Sequence, residues 1–559
     1  MKEFGLLSLM GVSRAQLMGL IAIEGLLIGA AAVFSGLAAG LLFLKLFFMA
    51  VSAVLQLPQE IRLYAGPRVW GQTLLVFGAI FVLASLVSLR SVATKNPVQM
   101  IRARRQPKSF PAISRWRAAL GLVLVLGGYA VACFPNRTVL ALSMAPVTAM
   151  VSFGTYLLMR EGWILLLSWL RRRERFFYRP GPFLSVSQLL YKVQENYQIL
   201  AGVAVTVVFV LTAMGTIVTF YTLLLRDQLA NNPIAIQMTL PAGSDLPAAA
   251  ARVEAVLRKH GVTGLTYREL ITRTATVGAD GVTVTLIPFS LYAALDRPQA
   301  EALPALRPDE AILCYYFYPW FPTPRLSGPS AADLTVGGER IPLKIWHDHG
   351  GDLLNDQPTD YTLVLEDGTF AALMARTPAA ERLPMAVWIG PGWQDRALRQ
   401  ALAELRSDYP DGGPVALSSK LEAYLGVTSF VGTLFFIGLF MSLLAFLASI
   451  SEILFRLFTE IEDDRRYFQR LAQLGVSLRE LKRLALGQVA VVFFVPFGVG
   501  VVHTTFAMKA LSFIVSQPVL HHGWMAAAAY LAPYLVTFAG AAELYWRSLR
   551  AGLKARAAA

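Results

Sequence analysis

Phe468-x-x-Leu471-x-x-Leu474-Gly475-Val476-Ser477-x-x-x-Leu481-x-x-Leu484 runs straight into a long apolar stretch. The same spacing stands at the other end of the chain as Phe4-x-x-Leu7-x-x-Met10-Gly11-Val12-Ser13-x-x-x-Leu17-x-x-Leu20. Apolar residues at intervals of three and four place one stripe on a helix, and Gly-Val-Ser interrupts that stripe at a bend. Two readings are open. One is chance similarity between two membrane-flanking amphipathic helices. The other is a duplicated transmembrane unit, each copy presenting a docking surface beneath the membrane. On the second reading the docking residues are Leu7, Met10, Gly11, Val12, Ser13 and Leu17, and again Leu471, Leu474, Gly475, Val476, Ser477 and Leu481.

The 559 residues are 55% hydrophobic and only 15% charged, with a mean hydropathy of +0.53. Those values exclude an ordinary soluble globule and indicate a polytopic α-helical membrane protein. Hydropathy gives about eight spans, near 17–47, 71–93, 117–134, 138–159, 199–225, 425–454, 485–512 and 524–545. The net charge of +14 is no argument for nucleic acid. Its basic residues crowd into short loops beside apolar segments: Arg90, Lys95, Arg102, Arg104, Arg105, Lys108, Arg115 and Arg117 in one, Arg171 to Arg173, Arg175 and Arg179 in another. Loops of that kind stay in the cytoplasm, so both termini are expected there. Cys133 and Cys314 fall in a membrane segment and an external domain, and no disulfide framework is expected. No cleavable signal peptide is visible at Met1.

The expected organisation is a partial first membrane half (1–110), two linking spans with an interfacial helix (111–195), a span (196–226), one large α+β extracellular domain between the fifth and sixth spans (227–424), and the closing spans (425–559). In the external domain Ile234 to Leu240 and Val282 to Ile287 alternate as strands, and Leu334 to Leu343 reads as a hairpin through Gly337-Gly338. Leu246 to His260 and Asp395 to Leu405 read as helices. In 160–198, basic and aromatic side chains mix as in a helix lying on the inner membrane surface.

No G-x-x-x-x-G-K-[ST] loop is present, nor any H-E-x-x-H, C-x-x-C or G-x-S-x-G pattern, so an enzyme has little support and no cofactor is expected in this chain. His347-Asp348-His349 with Asp352 and Asp356 has metal-ligand types, but Gly350-Gly351 and Pro358 favour a solvated loop, and no metal is expected. The aromatic run Tyr315, Tyr316, Phe317, Tyr318, Trp320 and Phe321 reads either as a core strand entering a turn or as an amphipathic patch for a lipid or lipopeptide. Three ionisable residues lie at membrane depth: Glu24, Glu452 and His503. For the carboxylates, pairing with neighbouring helices competes with carrying a transported ion. For His503 an interhelical hydrogen bond competes with a proton relay. Gly36-x-x-x-Gly40 offers a seam for close helix packing.

The segment from Phe4 to Glu24, with Gly11-Val12-Ser13, followed by Asn96-Pro97-Val98-Gln99-Met100-Ile101-Arg102 after the next span, resembles the FtsX-like permease domain of ABC transporters. The copy from Phe468 onward resembles it again. A single large external domain before the last three spans narrows the resemblance to the bacitracin-export type, as do Pro496, His503, Thr504 and Phe506 in the seventh span and Tyr530, Tyr534 and Tyr545 in the last. The resemblance implies a multi-pass permease of the bacterial cell membrane. It implies separate ABC ATPase subunits that bind the ATP, resistance to cell-wall-targeting peptide antibiotics or action on their lipid-linked target, and often signalling through a membrane histidine kinase. Permeases of this type have ten spans, and the docking helix follows the second. Since the pattern here begins at Phe4, two spans are expected to be missing ahead of it. The alternatives are a ligand-sensing receptor subunit and an FtsX-type regulator of cell-wall hydrolases, whose four-span architecture argues against it.

Overall fold

The computed structural model describes residues 10–54, 66–93, 114–134, 136–173, 180–278, 281–295, 306–315, 326–348, 352–356, 359 and 361–557. Among them eight helical segments are long and apolar enough to cross a membrane, and each overlaps one of the expected spans. The chain divides into two compact units, Met1–Ser114 and Arg115–Ala559.

In the first unit, α1 (Arg14–Val54) and α2 (Pro67–Ala93) pack together. Their contact runs through glycines other than those expected. A Cβ at Gly25 would stand 2.8 Å from Ser85 Oγ, and one at Gly29 would stand 2.9 Å from the Phe81 ring, whereas Gly36 and Gly40 have nothing within 4 Å. The helices meet where a missing side chain admits a phenyl ring, so Gly25-x-x-x-Gly29 is the seam.

The second unit opens with α3 (Arg115–Ala132) and α4 (Arg137–Leu157). Asn136 caps α4, accepting from Val139 N–H at 3.1 Å. Gly121 and Gly154 let the two backbones approach, a Cβ on either falling 3.0 Å from the other's carbonyl oxygen. The helix continues through a single π-helical turn, Leu158–Gly162, into α5 (Trp163–Arg172), so this span is longer than expected. The extra residue turns Met159 and Glu161 inward. Glu161 then lies 3.7 Å from Arg117 and 3.6 Å from Arg160. The interfacial helix expected over 160–198 is thus in part a continuation of α4, and Phe176, Phe177 and Tyr178 lie outside the described residues.

Next comes α6 (Pro180–Asn231), which leads into an inserted domain. Strand β1 (Ile236–Thr239) is followed by α7 (Leu246–Lys259), β2 (Thr266–Thr272), β3 (Thr274–Val277), β4 (Val282–Pro288), α8 (Phe289–Ala294) and β5 (Glu310–Tyr315). Then come β6 (Leu326–Val336), β7 (Glu339–Asp348), β8 (Tyr361–Leu365), α9 (Asp367–Arg376), β9 (Leu383–Ile389), α10 (Arg396–Asp408) and β10 (Ala416–Ser419). The strands form a four-stranded antiparallel sheet in the order β10-β1-β9-β2 and a closed six-stranded barrel, β3-β4-β8-β5-β7-β6. Ile236, Met238 and Trp388 of the sheet share a core with Val253 of α7 and Leu402 of α10. Val284, Leu286, Leu313, Ile345 and Leu363 belong to the barrel core. The β6–β7 hairpin turns through Gly337 (φ 56°) and Gly338 (φ 89°), a backbone that side-chain-bearing residues rarely adopt.

From β10 the chain passes directly into α11 (Lys420–Thr459), then α12 (Ile461–Gln473), α13 (Leu478–Ile514) and α14 (Leu520–Ala557). The membrane core joins Val203, Val207 and Leu211 of α6, Ile453 of α11, Val489 and Phe493 of α13, and Tyr534 and Leu549 of α14. Pro496 inside α13 lacks the N–H of the helical ladder. Beside it, Tyr534 donates to Phe493 O at 2.8 Å.

Candidate coupling site and the polar positions of the bundle

The turn between α12 and α13 is built from two helix caps joined back to back. α12 ends in a Schellman motif: Val476 N–H donates to Leu471 O and Gly475 N–H to Ala472 O, both at 3.1 Å, with Gly475 at φ 90°. One residue later Ser477 opens α13 with a capping box. Glu480 N–H donates to Ser477 Oγ at 3.4 Å, and Ser477 N–H donates to Glu480 Oε2 at 2.9 Å. The first copy repeats the glycine conformation and the box. Gly11 has φ 93°, Gln16 N–H donates to Ser13 Oγ at 3.2 Å and Ser13 N–H to Gln16 Oε1 at 3.0 Å. Sequence reading passed over Gln16 and Glu480, although a Ser followed three residues later by Gln or Glu is the signal of such a box.

The docking stripe needs correction. At the apex Leu474 is 80% exposed and Met10 75%. Leu471 and Leu481, expected on the same free face, are buried in the chain's own core with Phe468 and Leu484, and Leu17 is likewise buried. Leu7 lies outside the described residues. The reason is the glycine. The left-handed residue bends the chain between the two helices, so Leu471 and Leu481 turn inward while Leu474 at the apex, with Leu478 beside it, stays exposed. Val12 and Val476 are half-buried at the turn, and Gly11, Ser13, Gly475 and Ser477 are exposed.

Helix α12 is fastened to the end of α14. Arg465 Nε donates to Ser548 O at 2.8 Å and Gln469 Nε2 to Gly552 O at 2.9 Å. Any side chain at position 552 would crowd Arg465, whose Cδ is 3.2 Å from the place of its Cβ. Tyr545 OH lies 2.6 Å from Asp464 Oδ2 and 3.1 Å from the Gln488 amide. A hydroxyl has one hydrogen and the carboxylate takes it, so the amide group facing Tyr545 is the NH2, donating. Asp464, Tyr545 and Gln488 thereby tie α12, α14 and α13 at one level.

His503 of α13 is held at both ring nitrogens. Tyr129 of α3 approaches Nδ1 at 2.5 Å and Thr155 of α4 approaches Nε2 at 2.7 Å, while Thr155 Oγ1 donates to Val151 O at 2.7 Å. The hydrogens close for a neutral imidazole. Tyr129 donates to Nδ1, Nε2–H donates to Thr155, and Thr155 donates to the carbonyl. Tyr129 also stacks on Phe506 at 3.7 Å. The chain of bonds ends at a helix carbonyl, which suits the interhelical hydrogen bond and not a relay. Glu452 is exposed on α11, and its Oε1 lies 3.7 Å from where a Cβ on Gly202 of α6 would stand. Glu24 is exposed on α1. It occupies in the first copy the position of Gln488 in the second.

Among the described residues no three His, Cys, Asp or Glu side chains come together as metal ligands. Asp348 is buried and accepts from Tyr292 OH at 2.6 Å, His347 Nε2 meets Ser330 Oγ at 2.9 Å, and His349 lies outside the described residues. Of the aromatic run, Tyr315 closes β5, and residues 316–321 lie outside the described residues.

The FtsX-like permease C-terminal family matches residues 1–97. The chain is 27% identical over 531 residues to the uncharacterized ABC transporter permease YvcS of Bacillus subtilis, covering 91% of this chain and 80% of that one. It is 24% identical to the ABC transporter permease protein YxdM of the same organism, at the same coverage of both chains. Over 205 residues, 35% of this chain and 32% of the other, it is 21% identical to the bacitracin export permease protein BceB of Bacillus subtilis. With eight membrane-length helices among the described residues and one sheet-containing insertion, the chain is similar to FtsX-like ABC transporter permeases, the bacitracin-export type among them.

Proposed function

We propose that this permease works with separate ABC ATPase subunits to confer resistance to cell-wall-targeting antimicrobial peptides, and that the ATPases dock at Met10–Ser13 and Leu474–Ser477. The observation that carries the docking claim is the repeated turn. Two distant segments share a left-handed glycine followed by a Ser-to-Gln or Ser-to-Glu capping box, and each exposes a large apolar side chain just before that glycine. An apolar residue at a rigid apex can fill a groove on a partner. The basic loops support an orientation with these turns, both termini and the tail with Arg547 and Arg550 in the cytoplasm and the inserted domain outside.

The route for mechanical work is short. Helix α12 is fastened to α14 and continuous through the turn with α13, so a displaced apex moves three helices together. From Lys420 to Thr459 helix α11 is one unbroken rod of 40 residues, about 60 Å long at 1.5 Å per residue. It joins β10 at one end to α12 at the other. On this reading ATP is bound by the partner subunits. The peptide-antibiotic substrate rests on the likeness to BceB, and a histidine kinase as a further partner rests on the family resemblance.

Replacing Leu474 by Asp would place a carboxylate in the partner's apolar groove. The expected result is loss of co-purifying ATPase with the permease still in the membrane. ATPase retained by the Leu474→Asp and Met10→Asp double variant would refute the docking reading.

A further inference from the structure

We propose that the π-helical turn Leu158–Gly162 is a site for the phosphate of an anionic phospholipid, gripped by the guanidiniums of Arg160 and Arg117, with Glu161 as the buried post between them. The site stands on helix packing alone. That it faces the cytoplasmic leaflet rests on the orientation proposed above.

The depth of the turn follows from helix geometry. At 1.5 Å per residue, Arg160 lies about 35 Å along the helix from the start of α4, past the roughly 30 Å hydrocarbon core and at the level of lipid headgroups. The first turn of α3 stands beside it, because Gly121 lets the two backbones approach: a Cβ there would fall 3.2 Å from Leu158 N. Trp116, 86% exposed at the start of α3, is of the aromatic type that marks a membrane interface. Toward the bilayer centre, Leu122 of α3 and Phe153 of α4 are exposed apolar side chains against which acyl chains can lie.

The extra residue of the π turn directs Glu161 inward, where 5% of its side chain is exposed, against 38% for Arg160 and 54% for Arg117. Its Oε1 stands 3.6 Å from Arg160 Nε and 3.7 Å from Arg117 Nη1, charge contacts longer than hydrogen bonds. Arg160 also lies over the ring of Tyr197 of α6, its Cζ 5.6 Å from the centroid. Among the described residues no acceptor takes a hydrogen bond from Arg160. A guanidinium fixed in place with its donors in hand matches phosphate oxygens, which accept in pairs. Two guanidiniums against one carboxylate leave one positive charge over, which is what a phosphodiester neutralises.

The surrounding sequence favours an anionic lipid over a zwitterionic one. Residues 94–113, which lead toward α3, carry Lys95, Arg102, Arg104, Arg105 and Lys108 and no Asp or Glu, and α5 ends at Arg171 and Arg172. Basic residues beside a membrane surface draw anionic headgroups, and basic pockets between membrane helices hold them. The turn packs against both α3 and α6. A phosphate held there therefore clamps α3, the helix running from α4 to α5, and α6 at one level.

The test is native mass spectrometry of the full chain, stripped of lipid and titrated with phosphatidylglycerol, with phosphatidylcholine and inorganic phosphate as controls. The parent should retain one phosphatidylglycerol more tightly than any phosphatidylcholine. Arg160→Gln should weaken that one about fivefold, the contribution of a single arginine beside an anionic surface. Glu161→Gln removes the carboxylate that competes with the phosphate and should tighten it, an opposition that misfolding cannot mimic. In nanodiscs, phosphatidylglycerol should raise the melting temperature of the parent and leave that of the Arg117→Gln, Arg160→Gln double variant unmoved. Equal retention of the two lipids, or affinities unchanged in both Arg160→Gln and Glu161→Gln, would overturn the site. Binding of inorganic phosphate with no preference for phosphatidylglycerol would overturn the lipid as its occupant.

Discussion

Gly475 shows how a single residue decides the candidate site. Its φ of 90° lies where an L-residue is strained, yet a Cβ there would touch nothing within 4 Å. The cost of Gly475→Ala is therefore conformational alone, about 1 kcal/mol. Asn, which tolerates the left-handed region, should cost less. ATP hydrolysis coupled to the reconstituted permease should fall in the order Gly, Asn, Ala, and Ala equal to Gly would refute the strain argument. Glycine, serine and the acid three residues on were legible as a local pattern. The partners of His503 were not. Tyr129 and Thr155 stand 374 and 348 residues away in the chain, and only helix packing brings them to the ring. Each of Tyr129→Phe and Thr155→Val should lower thermal stability by about 1 kcal/mol. In the double variant their effects should be non-additive, because both act through one imidazole. Strict additivity would show that the two bonds are independent.

At the scale of elements, helical periodicity found α12 and α13 but misplaced their faces. Leu471, Leu474 and Leu481 lie on one stripe only if the helix is straight, and the Schellman turn bends it so that of these three Leu474 is the exposed one. The fastening of α12 to α14 was beyond sequence reading for another reason. Arg465 and Gln469 bond to backbone carbonyls, which every residue carries, so no side-chain pairing announces them. Tyr545→Phe removes the hydroxyl shared by Asp464 and Gln488. It should leave ATPase co-purification intact and lower the response of ATP hydrolysis to added bacitracin. Loss of the ATPase itself would place Tyr545 in docking instead. In the inserted domain, α7 and α10 are joined by ions. Lys259 and His260 beside Glu404 hold its carboxyl down to about 2. A carboxyl whose folded pKa is depressed stabilises the fold above its unfolded value, near 4.5, and loses that contribution as pH falls toward the folded one. Exchange at α10 should therefore rise between about pH 4.5 and pH 2 in the parent, and this dependence should be flattened in Glu404→Gln. An unchanged profile in that variant would assign the acid sensitivity elsewhere.

At the scale of the whole molecule, the membrane class and span number follow from composition, because apolar helices of spanning length need no tertiary information to be seen. The barrel does not follow. Its closure depends on β4 with β8 and β5 with β7 pairing in parallel, contacts between strands far apart in the chain. The strand pairing at the neck links domain to membrane, beside the Arg406–Glu422 ion pair and the Trp393–Tyr424 ring contact. Strand β1 continues from α6, β10 continues into α11, and the two run antiparallel with Ile236 opposite Ser419. Ser419 Oγ and Lys420 N–H both bond to Ala235 O, at 3.0 and 3.2 Å, closing the insertion at its neck. An exchange of inserted domains between permeases should therefore succeed when both cuts fall on the membrane side of this neck, before Ile234 and after Lys420. The graft then brings its own paired strands, and the resistance profile should travel with it. Cuts inside β1 and β10 split the pairing between two proteins and leave buried backbone groups of the central strand unmatched, so those chimaeras should fail to accumulate. A profile that stayed with the membrane helices after an intact-neck exchange would move substrate selection from the inserted domain into the bundle.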